Sequence, residues 1–123
     1  MNAPREHLIA PGVRGWLESP RTVAIADDCL IVSGWAFTSG SCIRNVWVAG
    51  LGAPRPLRYG LERDDVARVY AAEPHAPRSG FSGYLEFERE PGTPVDLEVW
   101  AALDDGRTIR LFAARLATSA CTA

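Results

Sequence analysis

The sequence predicts an all-β domain, an antiparallel sandwich or barrel, and three observations carry that prediction. Runs rich in Val, Ile, Trp and Phe recur along the chain at intervals of about 8 to 12 residues, each bounded by Gly, Pro, Asp or Ser. The clearest run, residues 95–103, alternates: Val95, Leu97, Val99 and Ala101 take one face, and Asp96, Glu98 and Trp100 the other. Only one stretch, "RYGLERDDVARVYAAEPHAPRSGF" (58–81), lacks strand alternation, so a βαβ plan has no supply of crossover helices.

Taken in order, residues 1–12 read as an N-terminal arm. "VRGWLESP" (13–20) is a first strand ended by Pro20, which cannot donate to a ladder. "RTVAIADD" (21–28) is a short second strand closed by Asp27 and Asp28. "CLIVSGWAF" (29–37) is the strongest strand, and after the turn "TSGS" the segment "IRNVWVAG" (43–50) is expected to return as its hairpin partner. "RPLRYGL" (55–61) suits an edge strand, where Pro56 costs least.

Within the odd stretch, residues 64–72 form a short helix. Asp64 is expected to cap it, and Asp65 suits its positive end. Val66, Val69 and Tyr70 share a face that would plug one open end of the fold, and Pro74 stops the helix. Strands at 79–88, 95–103 and 107–116 follow, the last two joined at "DDG", where Gly106 supplies a positive φ. Residues 116–123 are a tail.

The totals agree. A chain of 123 residues makes one domain that buries its own core without metal or disulfide staples. Net charge is −2, which leaves no electrostatic footprint for nucleic acid or anionic membrane. All thirteen basic residues are Arg. Cys29, Cys42 and Cys121 form no C-x-x-C and have no His at ligand spacing, so they read as free thiols in a reducing compartment. The polar start carries no signal-peptide pattern and no apolar run reaches the ~20 residues of a membrane span, so the expected location is cytoplasmic.

A resemblance emerges from "VSGWAF", "IRNVWV", "GLERDDV" and "RSGF". Together they resemble a bacterial Ig-like module found beside glycosyltransferases and methyltransferases of surface-polysaccharide assembly. Gly34, Trp35 and Ala36 match one element of that pattern, Val46 and Val48 a second, and Gly60, Leu61, Arg63, Asp65 and Val66 a third. Ser79, Gly80 and Phe81 match the last, and Asp64 stands where the pattern usually has Pro. The likeness spans residues 13 to about 114 and implies an Ig-like β-sandwich of about seven to nine short strands that is a non-catalytic companion module. It implies no ligand.

Chemistry-bearing constellations are sparse. Ser82 in "GFSGY" is not in a nucleophile elbow, and His75 lies seven residues upstream in a Pro-flanked loop. "GLGAP" has no βαβ context for a phosphate cradle. Asp27–Asp28, Asp64–Asp65 and Asp104–Asp105 each have a local role as turn former or helix cap, so neither metal nor cofactor is expected. The aromatics are more pointed. Trp35 reads as core, whereas Val46 and Val48, and Val95, Leu97 and Val99, claim the inner faces of their strands and turn Trp47 and Trp100 outward. Outward tryptophans stack on sugar rings or on protein partners, or are covered by the N-terminal arm, a loop or the short helix. The candidate ligand surface is therefore Trp47 and Trp100 with Asp96, Glu98 and Asn45, for a glycan or a partner protein, a homodimer included. A structural or oligomerisation domain is the competing class, and a small hydrolase the third.

Overall fold

A computed structural model describes residues 7–19, 29–86 and 94–116. Eight strands run β1 (His7–Ala10), β2 (Val13–Ser19), β3 (Cys29–Thr38), β4 (Ile43–Ala49), β5 (Arg55–Leu61), β6 (Gly80–Glu86), β7 (Val95–Leu103) and β8 (Thr108–Leu116). A six-residue helix α1 (Asp64–Val69) and a 3₁₀ turn η1 (Ala76–Arg78) separate β5 from β6. The strand expected at 21–28 and the turn "REPGTP" lie outside the described residues, apart from Pro94. Residues 7–10, expected within the arm, instead pair antiparallel with β2.

All pairings are antiparallel, and they join the eight strands into one nearly closed sheet in the order β1-β2-β3-β6-β5-β4-β7-β8. The all-β expectation is therefore met, with the strands linked continuously from β1 to β8. The join is β5. Leu57 and its neighbours ladder onto β4, while Arg58–Leu61 ladder onto β6. This placement corrects the edge-strand expectation. Exposed Pro56 is accommodated in this inner strand because its half of β5 has a ladder on one side only.

The expected β3–β4 hairpin is also corrected. β3 pairs with β2 and β6, and β4 with β5 and β7, so the turn after Thr38 carries the chain from one half of the sheet to the other. Cys29 therefore faces Glu86. The physical reason lies in β3 itself, whose second half is buried on both faces and so needs a neighbour along each edge and cover above and below. The turn is held by Ser39 N–H donating to Gly12 carbonyl at 2.7 Å and by the Thr38 hydroxyl donating to the Ser41 carbonyl.

Alternation divides the apolar residues between two cores. Inside the sheet, Leu30, Val32 and Ala36 of β3 meet Leu57, Phe81, Val46, Val48, Leu97, Val99 and Leu116. Phe81 and Phe112 bring the two halves together with ring centroids 5.9 Å apart. On the outer face, Trp35 and Phe37 stack at 5.9 Å and are sealed by Val66, Ala76 and the partly buried Trp16 and Tyr70. The odd stretch thus roofs an aromatic cluster on the outside of β2 and β3, where it was expected to plug an end of the fold.

The helix differs in detail from its prediction. It ends at Val69, not residue 72, and Arg63 occupies the cap position with no side-chain cap bond, so Asp64 is its first residue. Val66 is fully buried, whereas Val69 is 47% exposed and takes no part in the roof. Tyr70 reaches it instead, at 5.0 Å from Phe37.

Each motif residue has a structural task. Gly34 sits opposite Phe81, and a Cβ there would come within 2.8 Å of the Phe81 ring and 2.2 Å of the Trp16 carbonyl oxygen. Gly60 has φ +94°, at the bulge where β5 leaves β6. The Ser79 hydroxyl donates to the Ala76 carbonyl at 2.7 Å, and the Ser79 carbonyl accepts from Ala36 N–H at 2.9 Å, tying the roof to β3. Gly80 lets the chain pass Leu61 and Arg63, whose atoms would stand 3.0 to 3.2 Å from a Cβ.

Candidate functional site

The residues of the predicted ligand surface come together on one face of β4 and β7. Val46 and Val48 are buried on the inside, as are Val95, Leu97, Val99, Ala101 and Leu103. Strand geometry then sends Trp47 and Trp100 outward. The register sets them directly opposite each other, and extends the row to Pro56 on β5 and Arg110 on β8. Asn45 lies opposite Ala102 on the same face, two residues from Trp47. Glu98 and Asp96 continue that face along β7.

Both indoles are half-buried, because each has the other as its cross-strand neighbour. Trp100 is also tethered: its Nε1–H donates to Glu98 Oε1 at 3.3 Å, while Arg110 donates to Glu98 Oε2 at 2.9 Å. These two bonds, Arg110 first, hold the Glu98 carboxyl below its ordinary range, so it stays charged. Asp96 faces Arg115 at 3.5 Å with both side chains more than two-thirds exposed, a loose pair that a ligand displaces cheaply. Trp47 Nε1 has no hydrogen-bond partner among the described residues. The arrangement is an aromatic row with one fixed and one unclaimed indole N–H, flanked by carboxylates, an amide and guanidinium groups.

No protein-family model matches the chain, and no curated protein is significantly similar to it. No helix among the described residues is long and apolar enough to cross a membrane. Among the described residues no three His, Cys, Asp or Glu side chains converge as metal ligands. Ser82 lies on β6 between Ser33 and Arg58, while the structure sets His75 beside a different residue, Cys42.

Two features escaped the sequence reading. Cys42 and His75 are 33 residues apart in the chain and meet only because η1 packs beside the start of β4. Ile31 and Tyr84 form a cross-strand pair on the outer face of β3 and β6, with 55% and 63% of their surfaces exposed. Ile31 lies on the face of β3 that was read as core, and its partner depends on a pairing between strands some fifty residues apart.

Proposed function

We propose that this chain is a non-catalytic binding module that holds a carbohydrate on the outer face of β4 and β7. The observation that carries this reading is the directly opposed pair Trp47 and Trp100, aligned in one row with Pro56 and Arg110. Sugar rings offer apolar C–H faces to indoles and hydroxyls to carboxylates and amides, and Asp96, Glu98 and Asn45 surround the pair with such groups. The motif resemblance supports an Ig-like accessory role beside enzymes of bacterial polysaccharide assembly. Unpaired Cys29 and Cys42 support a reducing, cytoplasmic setting.

Titrating the chain with a glycan panel, following tryptophan fluorescence, tests the proposal. Binding should change the emission, and Trp47→Ala and Trp100→Ala should each abolish the response while the protein stays folded. A panel-wide absence of response with folded protein refutes the carbohydrate reading.

A second reading, a self-association module, is favoured by the exposed Ile31–Tyr84 pair. Light scattering after size exclusion discriminates: a dimer lost in Ile31→Ser with unchanged Trp47 and Trp100 supports it, and a monomer at all concentrations excludes it.

A further inference from the structure

The contact between Cys42 and His75 lies in a cavity of about 280 Å³ lined by Cys42, Ile43, Tyr59, Pro74, Pro77 and Arg78 with His75. The volume is near the lower end of small-ligand sites. Cys42 Sγ is 3.5 Å from His75 Nε2 and 3.8 Å from Nδ1, so it lies alongside the ring, off the in-plane axis of either nitrogen, and a turn of the ring precedes proton exchange. Both partners are held. Cys42 N–H donates to Asp104 Oδ1 at 3.1 Å, and its carbonyl accepts from Asp104 N–H at 2.9 Å. The segment carrying His75 is anchored by buried Ala76 and by Pro77, whose carbonyl accepts from Arg63 N–H at 2.9 Å.

The walls sort by chemistry. Ile43, Pro74, Pro77 and the Tyr59 ring are apolar, and the Tyr59 hydroxyl is engaged with the Ala36 carbonyl at 2.7 Å. Arg78 supplies a cation at the rim, and its pairing with Glu62, 3.8 Å with both side chains about three-quarters exposed, is loose. Among the described residues no carboxylate lines the cavity. Outside the lining, Asp104 accepts from Cys42 N–H and Glu73 accepts from the Ser39 hydroxyl at 3.0 Å.

We propose that Cys42 is a thiol–disulfide exchange site for low-molecular-weight disulfides bearing a carboxylate, with His75 as its proton partner and Arg78 receiving the carboxylate. The Cys42 thiol passes its proton to His75, and the sulfur attacks one sulfur of the incoming disulfide. That S–S bond breaks as the Cys42 mixed disulfide forms, and the departing thiolate takes the proton from His75. Cys42 is oxidised and the released thiol is reduced, with no other reactant. A second small thiol reverses the step. The site is independent of the tryptophan face.

The test is the rate of mixed-disulfide formation at each cysteine, read by peptide mass mapping of the full chain. The probes are dithiobis(nitrobenzoate), which is dianionic, and dipyridyl disulfide, which is neutral. Cys42 should react at least ~10-fold faster than Cys29 in the folded protein, and the two should converge in urea. His75→Gln should slow Cys42 by ~10-fold with both probes, and Arg78→Ala should slow only the dianionic one. Equal rates at Cys42 and Cys29 in the folded protein overturn the proposal without any variant. A folded His75→Gln with undiminished Cys42 reactivity also overturns it, and an Arg78→Ala that slows neither probe or both alike overturns the assignment of Arg78.

Discussion

Arg63 grips Glu18 through two hydrogen bonds of 2.7 and 3.1 Å, joining residues 45 apart in the sequence. The same guanidinium donates to both oxygens of Asp65, at 2.9 and 2.8 Å. One planar fork therefore fastens the first turn of α1 to β2, next to the aromatic cluster that α1 roofs. The Arg63 side chain is only 18% exposed, which shields the network from solvent more than an ordinary surface pair.

Lysine cannot reproduce that fork, since an ammonium is a point charge with no paired donor plane. Arg63→Lys is expected to lose about 1–2 kcal/mol of unfolding free energy in urea titrations, the lower end reflecting the partial exposure of Glu18 and Asp65. A loss within measurement error would show that the roof stays in place without the staple.

Acid should loosen the same contact. Hydrogen bonding to Arg63 depresses the Asp65 carboxyl in the folded protein. A depressed folded-state value means the stabilisation is present above the unfolded-chain value of about 3.9 and is lost as pH falls through the lower folded value. Melting temperature should accordingly fall below about pH 4. The fall should be shallower in Arg63→Ala, because Asp65 no longer has a cation to lose; parallel curves would contradict the assignment.

Gly34 has no room for a methyl group. Alanine there must displace either the Trp16 carbonyl, which is backbone, or the Phe81 ring that joins the two halves of the interior. Gly34→Ala should cost about 2–3 kcal/mol, as overpacking of a filled core does. Thermal unfolding by circular dichroism measures it.

Glu98→Gln separates tethering from folding. The group is on the surface, so the melting temperature should hardly move. Trp100 loses its charged partner and Arg110 its ion pair, so acrylamide should quench the tryptophan fluorescence more efficiently than in the parent protein. Unchanged quenching would mean that the β4–β7 packing alone fixes the indole.

Much of the candidate surface was legible because strand parity is a local property. Once Val46 and Val48 point inward, Trp47 between them must point out, and the same holds for Trp100 beside Val99 and Ala101. The helix was legible from local signals too, the shared face of Val66 and Tyr70 and the stop at Pro74. Its docking place was not: Trp35 is fully buried as expected, but that Val66 and Tyr70 cover it on the outer face follows only from the tertiary packing.

The order of turn residues and the two-residue period were enough to establish an all-β chain, most of its described strand positions and the outward sides of Trp47 and Trp100. Such signals act between residues a few positions apart, and the chain carries them wherever it goes. Tertiary structure alone decided which strands are neighbours: that β3 joins β6 and not β4, that β5 links both halves, that Trp47 stands opposite Trp100, and that Cys42 meets His75. Those choices depend on filling one interior and covering both faces of β3 at once, a condition on the whole chain that no single segment expresses.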